Sequence, residues 1–132
     1  LITSAIANGG ELMKPYLIDS VKNSDGETIK TTEPEKYKRL MSVNEANLMG
    51  KLMKKVVEEG TASALNGRGY TAAGKTGSAE FDENGSSHSW FVGYSNVDDP
   101  DLVVAIIVEN GGTGSESAVP IAGQLFDAYY FD

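Results

Sequence analysis

Hydrophobic and polar positions divide this chain of 132 residues into segments of two different periods. Met49, Leu52, Met53 and Val56 recur at i, i+3, i+4 and i+7, the spacing that lines one side of an α-helix. Ser42 stands ahead of that run with Glu45 three residues on, the form of a capping box. A helix is therefore predicted over residues 43–58, with Gly60 as its stop. Residues 70–81, 89–94 and 102–109 read as strands, joined through Asn84-Gly85 and Asp98-Asp99-Pro100. Links this short and turn-forming favour antiparallel neighbours over a helical crossover, so the three main strands form a β-meander. Residues 1–10 read as the back half of a helix ending on Gly9-Gly10, with no start signal of its own. Residues 15–21 read as extended, Asn23-Ser24-Asp25-Gly26 as a turn, Thr28-Ile29 as a return strand and residues 30–38 as a polar connection. Ser117 is the expected N-cap of a closing helix over residues 119–130, with Pro120 tolerated in its first turn. The fold class is α+β, an antiparallel meander packed with helices, without an internal repeat.

The run at residues 103–108 is continuously apolar, which suits a strand covered on both faces and paired on both sides. Within this chain its one obvious neighbour is the strand at 89–94. Residues 102–108 are far too few to cross a bilayer. A formal net charge of −8 leaves no basic stripe for a nucleic acid, and a solvated acidic surface is the reading. With no cysteine and one histidine, neither a disulfide frame nor a zinc site is expected, and no cofactor is implied.

The densest chemistry lies at Gly74-Lys75-Thr76-Gly77-Ser78. Residues 69–76 satisfy the phosphate-loop pattern G-x-x-x-x-G-K-[ST] letter for letter. That loop works where a buried strand ends and a helix begins at the Lys-Thr pair, whose free N–H groups hold the phosphates. Here a turn precedes the motif and another turn follows within a few residues, leaving no room for the helix. The competing reading is a strand carrying Lys75 to Ser78 along an exposed edge. By themselves, Trp90 and Phe91 read as core aromatics and His88 as a loop or surface residue, while Glu80 and Glu109 lack any pairing signal for general acid–base work.

Lys75-Thr76-Gly77 also has company. Ala5-Ile6-Ala7-Asn8-Gly9-Gly10, Gly60-Thr61-Ala62, the block from Ala73 to Glu80, the block from His88 to Tyr94, and Val108-Glu109-Asn110-Gly111-Gly112 follow one another in order. Over nearly its whole length the chain resembles the C-terminal part of a penicillin-binding protein transpeptidase domain. Ala79-Glu80 and the His88–Trp90 block look more like the monofunctional class B enzymes than the bifunctional class A ones. The resemblance implies the C-terminal half of a penicillin-binding/serine β-lactamase-like fold. It implies residues 1–132 as a single fragment of a peptidoglycan D,D-transpeptidase, which cross-links stem peptides through a serine acyl-enzyme and is acylated by β-lactams. The implied location is the bacterial cell envelope, on the outer face of the membrane. The implied partners are a stem peptide ending in D-Ala-D-Ala, β-lactams and the N-terminal part of the same domain. That part would supply the missing neighbour of strand 102–109; in its absence the edge is expected to pair with a second copy.

The resemblance also assigns roles. Lys75 would supply positive charge near the substrate carboxylate and the other catalytic groups, and Thr76 and Ser78 hydroxyl donors to that carboxylate. The Ser78 backbone N–H would be half of an oxyanion hole, and Gly77 would let the backbone be approached closely. The family's nucleophile and base lie in S-x-x-K, which occurs nowhere in this chain. Ser42-Val43-Asn44 matches the family's S-x-N, but helix capping already accounts for Ser42, and Ser63 and Ser78 have no adjacent activating partner. The chain alone is therefore expected to be inert. Two related readings are a β-lactam-sensing domain that signals without turnover and a β-lactamase; the block from Trp90 to Tyr94 looks transpeptidase-like and disfavours the second.

Overall fold

The computed structural model describes residues 1–80 and 87–131. At its centre is an antiparallel sheet of β5 (Ala72–Glu80), β6 (Ser87–Ser95) and β7 (Leu102–Val108), in that spatial order. The register runs unbroken from Ala72 opposite Ser95 to Glu80 opposite Ser87, so Gly77 sits in regular pairing with Trp90 and makes no bulge. The link at Asn84-Gly85 and the strand end at Phe81 lie outside the described residues. The meander is as expected, although β5 starts at Ala72, two residues after Tyr70, and β6 runs from Ser87 to Ser95 and is longer than the expected 89–94.

Helices flank the sheet. α3 (Ala118–Phe131) covers one face, where Val119, Ala122 and Phe126 pack on Phe91, Val104 and Ile106. α1 (Ile2–Ala7) lies on the other, where Ile6 and Ala7 meet Tyr94 and Val103. α2 (Val43–Glu59) runs along β5 and serves both faces, sending Val57 into the first cluster and Met53 into the second. Its start is the predicted capping box: Ser42 Oγ accepts from Glu45 N at 3.3 Å, and Ser42 N donates to the Glu45 carboxylate at 2.8 Å. A 3-10 turn, Ser63–Leu65, follows and buries Leu65. The Arg68 guanidinium then pairs with Asp127 of α3, while the Tyr70 ring stacks on Tyr130 at 5.1 Å. That clamp ties the lead-in of β5 to the last turns of α3.

Three expectations need correction. The hairpin expected around Asp25-Gly26 is present, but residues 30–38 are not a polar connection, because they hold the end of one strand and most of another. β1 (Glu11–Met13) pairs with β4 (Lys36–Arg39), and β2 (Ser20–Lys22) pairs with β3 (Thr28–Thr31). Every residue of β3 and β4 is exposed, so neither carries the alternation that betrays a half-buried strand. β7 is only partly covered on its second face, where α1 meets Val103. Val104 and Ile106 are buried against α3, whereas Ala105 and Ile107 on the opposite face are exposed. Among the described residues β7 pairs only with β6. Ser117 does precede α3, but its hydroxyl donates to the Gly111 carbonyl at 2.6 Å. The first N–H of the helix, from Ala118, goes instead to Ser89 Oγ at 3.0 Å. None of the described helices is long and apolar enough to cross a membrane.

Candidate functional site

β5 changes character along its length. Ala72, Ala73 and Gly74 are buried, and at Gly74 a side chain would run into the Phe91 ring. From Lys75 onward the strand opens to solvent; Lys75, Ser78, Ala79 and Glu80 are exposed, Thr76 and Gly77 half-buried. Since β5 is an edge strand, the opening leaves its outward backbone groups unpaired by any described strand.

Strand alternation then distributes the side chains. Lys75 belongs to the α1 face with Ala73. There Lys75 and Val92 form the sheet wall of a groove of about 500 Å³, completed by Ile2, Ile6, Met49 and Met53. The Lys75 ammonium reaches back to the edge and donates to the Thr76 carbonyl at 2.7 Å. Thr76 faces the other way, and its hydroxyl meets that of Thr61 at 2.6 Å. Ser78 shares the side of Thr76 and stands opposite Ser89 of β6. The segment thus presents a cation from one face and hydroxyls from the other, converging on one free edge. A larger cleft of about 600 Å³, lined by Leu1, Asn8, Glu11 and Lys36 among others, includes none of these residues.

Residues 69–76 lead into a strand and not into a helix, so the phosphate-loop reading lacks the N–H cradle it requires. Ser42 is held in its capping box, as argued from the spacing. Trp90 is 38% exposed and Phe91 fully buried, so only the second is a plain core aromatic. His88 Nδ1 accepts from the Asn110 backbone N–H at 3.2 Å. Among the described residues no group of histidine and acidic side chains could hold a metal.

Sequence reasoning did not single out Thr61 as a site residue. It lies 15 residues before Thr76, and nothing in periodicity couples the two; its only sequence signal was the resemblance of Gly60-Thr61-Ala62 to the family.

A free-edged antiparallel sheet between helices, with Lys-Thr-Gly-Ser on the open half of the edge strand, is the architecture of serine acyltransferases that recognise penicillin. Residues 2–127 match the penicillin binding protein transpeptidase domain, and the chain belongs to that family. It is 37% identical over 131 residues to the peptidoglycan D,D-transpeptidase PbpA of Mycolicibacterium smegmatis, covering 91% of this chain and 26% of that protein. It is 35% identical over 135 residues to stage V sporulation protein D of Bacillus subtilis, covering 92% of this chain and 20% of that protein. Among solved structures it superposes on the D,D-transpeptidase domain of a peptidoglycan glycosyltransferase from Eggerthella lenta with a TM-score of 0.85 and 38% identity, over 97% of this chain and 30% of that one. A penicillin G acyl-enzyme complex of penicillin-binding protein A from Mycobacterium tuberculosis gives 0.84 and 32%, over 97% and 30%. The chain thus spans about a fifth to a quarter of the length of these curated relatives.

Proposed function

We propose that this chain is the substrate-cradling part of a peptidoglycan D,D-transpeptidase of the monofunctional, class B kind, acting at the outer face of the bacterial cell membrane. The observation that carries the reading is the convergence of Lys75, Thr76 and Ser78 on the uncovered half of β5, within a family match that spans the chain. A stem peptide ending in D-Ala-D-Ala lies along that edge as an added strand, which aligns the scissile bond. Its terminal carboxylate meets the Thr76 and Ser78 hydroxyls and the field of Lys75. A serine from the rest of the transpeptidase domain attacks the penultimate carbonyl, D-alanine leaves, and an amine of a second stem resolves the ester. The tetrahedral oxyanion is held by the Ser78 backbone N–H; losing one donor of an oxyanion hole costs about 10²–10³-fold in rate. Gly77 carries no side chain, so the substrate passes close to the strand. A β-lactam enters by the same route and stays as the acyl-enzyme.

Residues 1–132 form one unit of that domain, inert without the nucleophile. No cofactor enters the chemistry. The uncovered edge of β7 is where a second copy pairs when the rest of the domain is absent; an isolated chain that stays monomeric at high concentration removes that part of the reading.

The decisive experiment labels the full-length protein with a fluorescent penicillin. Lys75→Ala should slow labelling by about 100-fold. Labelling at the wild-type rate would take Lys75 out of the site, and an unlabelled wild-type protein would overturn the transpeptidase reading itself.

A further inference from the structure

Behind the open edge, residues 109–117 cross the α3 face of the sheet and return to the back of β5. They are held there by two serines on alternate positions of β6. Ser87 Oγ donates to the Gly112 carbonyl at 2.9 Å, and Gly112 N donates to the Ser87 carbonyl at 3.2 Å. Ser89, which has no solvent exposure, makes two bonds at once. Its hydroxyl donates to the Thr113 carbonyl at 2.8 Å and accepts the Ala118 N–H at 3.0 Å. One buried oxygen therefore fixes both the loop and the first turn of α3. Gly114 N-terminal to that turn is buried as well, and its carbonyl accepts Val119 N at 2.9 Å.

Gly114 is the point of closest approach. A Cβ built on it would lie 2.5 Å from the Trp90 carbonyl oxygen, 2.7 Å from Thr76 Cβ and 3.0 Å from the Gly77 carbonyl oxygen. No flexible side-chain end can swing away there, because the neighbours are β5 and β6 backbone and the root of Thr76. The loop thus touches β5 at Thr76 and Gly77, one residue before Ser78, whose cross-strand partner is Ser89 itself.

We infer that Ser89 and Gly114 are positioning residues: Ser89 pins the loop, Gly114 lets it close on Thr76-Gly77, and together they set where the Ser78 N–H points. The inference rests on the transpeptidase reading of Lys75–Ser78. Backbone at a free edge has no partner strand to hold it, so its placement must come from behind. Near-attack geometry is sensitive at this scale, a misplacement near 1 Å costing about 100-fold in rate.

The test uses the full-length protein and separates binding from acylation with a chromogenic β-lactam. Gly114→Ala should lower the acylation rate constant about 100-fold and Ser89→Ala about tenfold, each with the pre-acylation Kd changed less than about twofold. Ser89→Thr, which keeps the hydroxyl, should recover most of the rate. Ser115→Ala, on the exposed side of the same loop, should leave it unchanged. A role in folding alone would lower the fraction of molecules labelled and leave the rate constant of the rest intact; that pattern, or wild-type rates in both variants, overturns the inference. Hydrogen exchange of the peptide spanning residues 75–79 supplies a readout independent of penicillin. It should quicken in Ser89→Ala, and unchanged exchange overturns the inference even if the wild-type protein proves not to be acylated. If Gly114→Ala does not fold, Ser89→Ala decides by both readouts.

Discussion

The sheet β5–β6–β7 and the ribbon β2–β3 use the same antiparallel pairing, yet they stand in opposite relations to solvent. In the sheet, Phe91 and Ser89 are wholly buried and helices lie on both faces. In the ribbon, Val21 is 41% and Ile29 65% exposed, and Leu17 just before it is fully exposed. Backbone hydrogen bonds alone make a marginal structure in water, and a two-stranded ribbon without a buried face gains little more. The sheet draws its stability from apolar surface shut between layers. The exposed stretch from Lys75 onward departs from that rule inside the stable region, and it is where the chemistry is proposed. A reactive edge needs exposure for access and a rigid mounting for aim; β5 obtains the second from its buried first half and from the loop seated behind it.

The comparison can be broken most sharply at α3. Phe126→Ala opens a cavity under Phe91 and should cost about 3–5 kcal/mol, seen as faster hydrogen exchange across β6 and α3. An effect below about 1 kcal/mol would mean that α3 does not hold the sheet as its burial indicates.

A smaller effect should appear at alkaline pH. Burial, with Asp127 as its hydrogen-bond acceptor, raises the Tyr70 phenol from 10.0 to about 12. A phenol raised in this way stabilises the fold fully below pH 10.0, and that contribution is lost as pH climbs toward about 12. Denaturation followed between those limits should fall more steeply for the wild type than for Tyr70→Phe. Equal slopes would show that the clamp on α3 does not depend on the protonated phenol.

The least effect is expected in the ribbon. Ile29→Ala should change stability by less than about 0.5 kcal/mol, because the side chain is already in water. A loss of 2 kcal/mol or so would reveal that the ribbon is packed against something in the full-length protein.

Legibility followed the same divide. The capping box at Ser42 and the apolar period behind it marked α2 nearly to the residue, and the apolar strands with their turns marked the sheet. The turn at Asp25-Gly26 marked the β2–β3 ribbon, but the β1–β4 ribbon escaped notice because strands with no buried face need not alternate; Lys36, Tyr37 and Lys38 look like a linker, and they make up most of β4. The apolar run of β7 suggested burial on two faces, but composition cannot say which layers are present to cover it.

The candidate site divides likewise. Lys75 to Ser78 could be read locally as a strand edge, since flanking turns exclude the helix that a phosphate loop demands. Local order in the chain determined that much: which stretches are helical, which extended, and where the cation and hydroxyls are strung together. Folding alone decided that Thr61 would meet Thr76, that Gly114 would slip against Thr76 and Gly77, and that Ser89 would hold a loop and a helix with one oxygen. Each of these is a contact between segments far apart in sequence. A helical or strand period records only what a residue's near neighbours do, so distant partners leave no trace in it until the layers close.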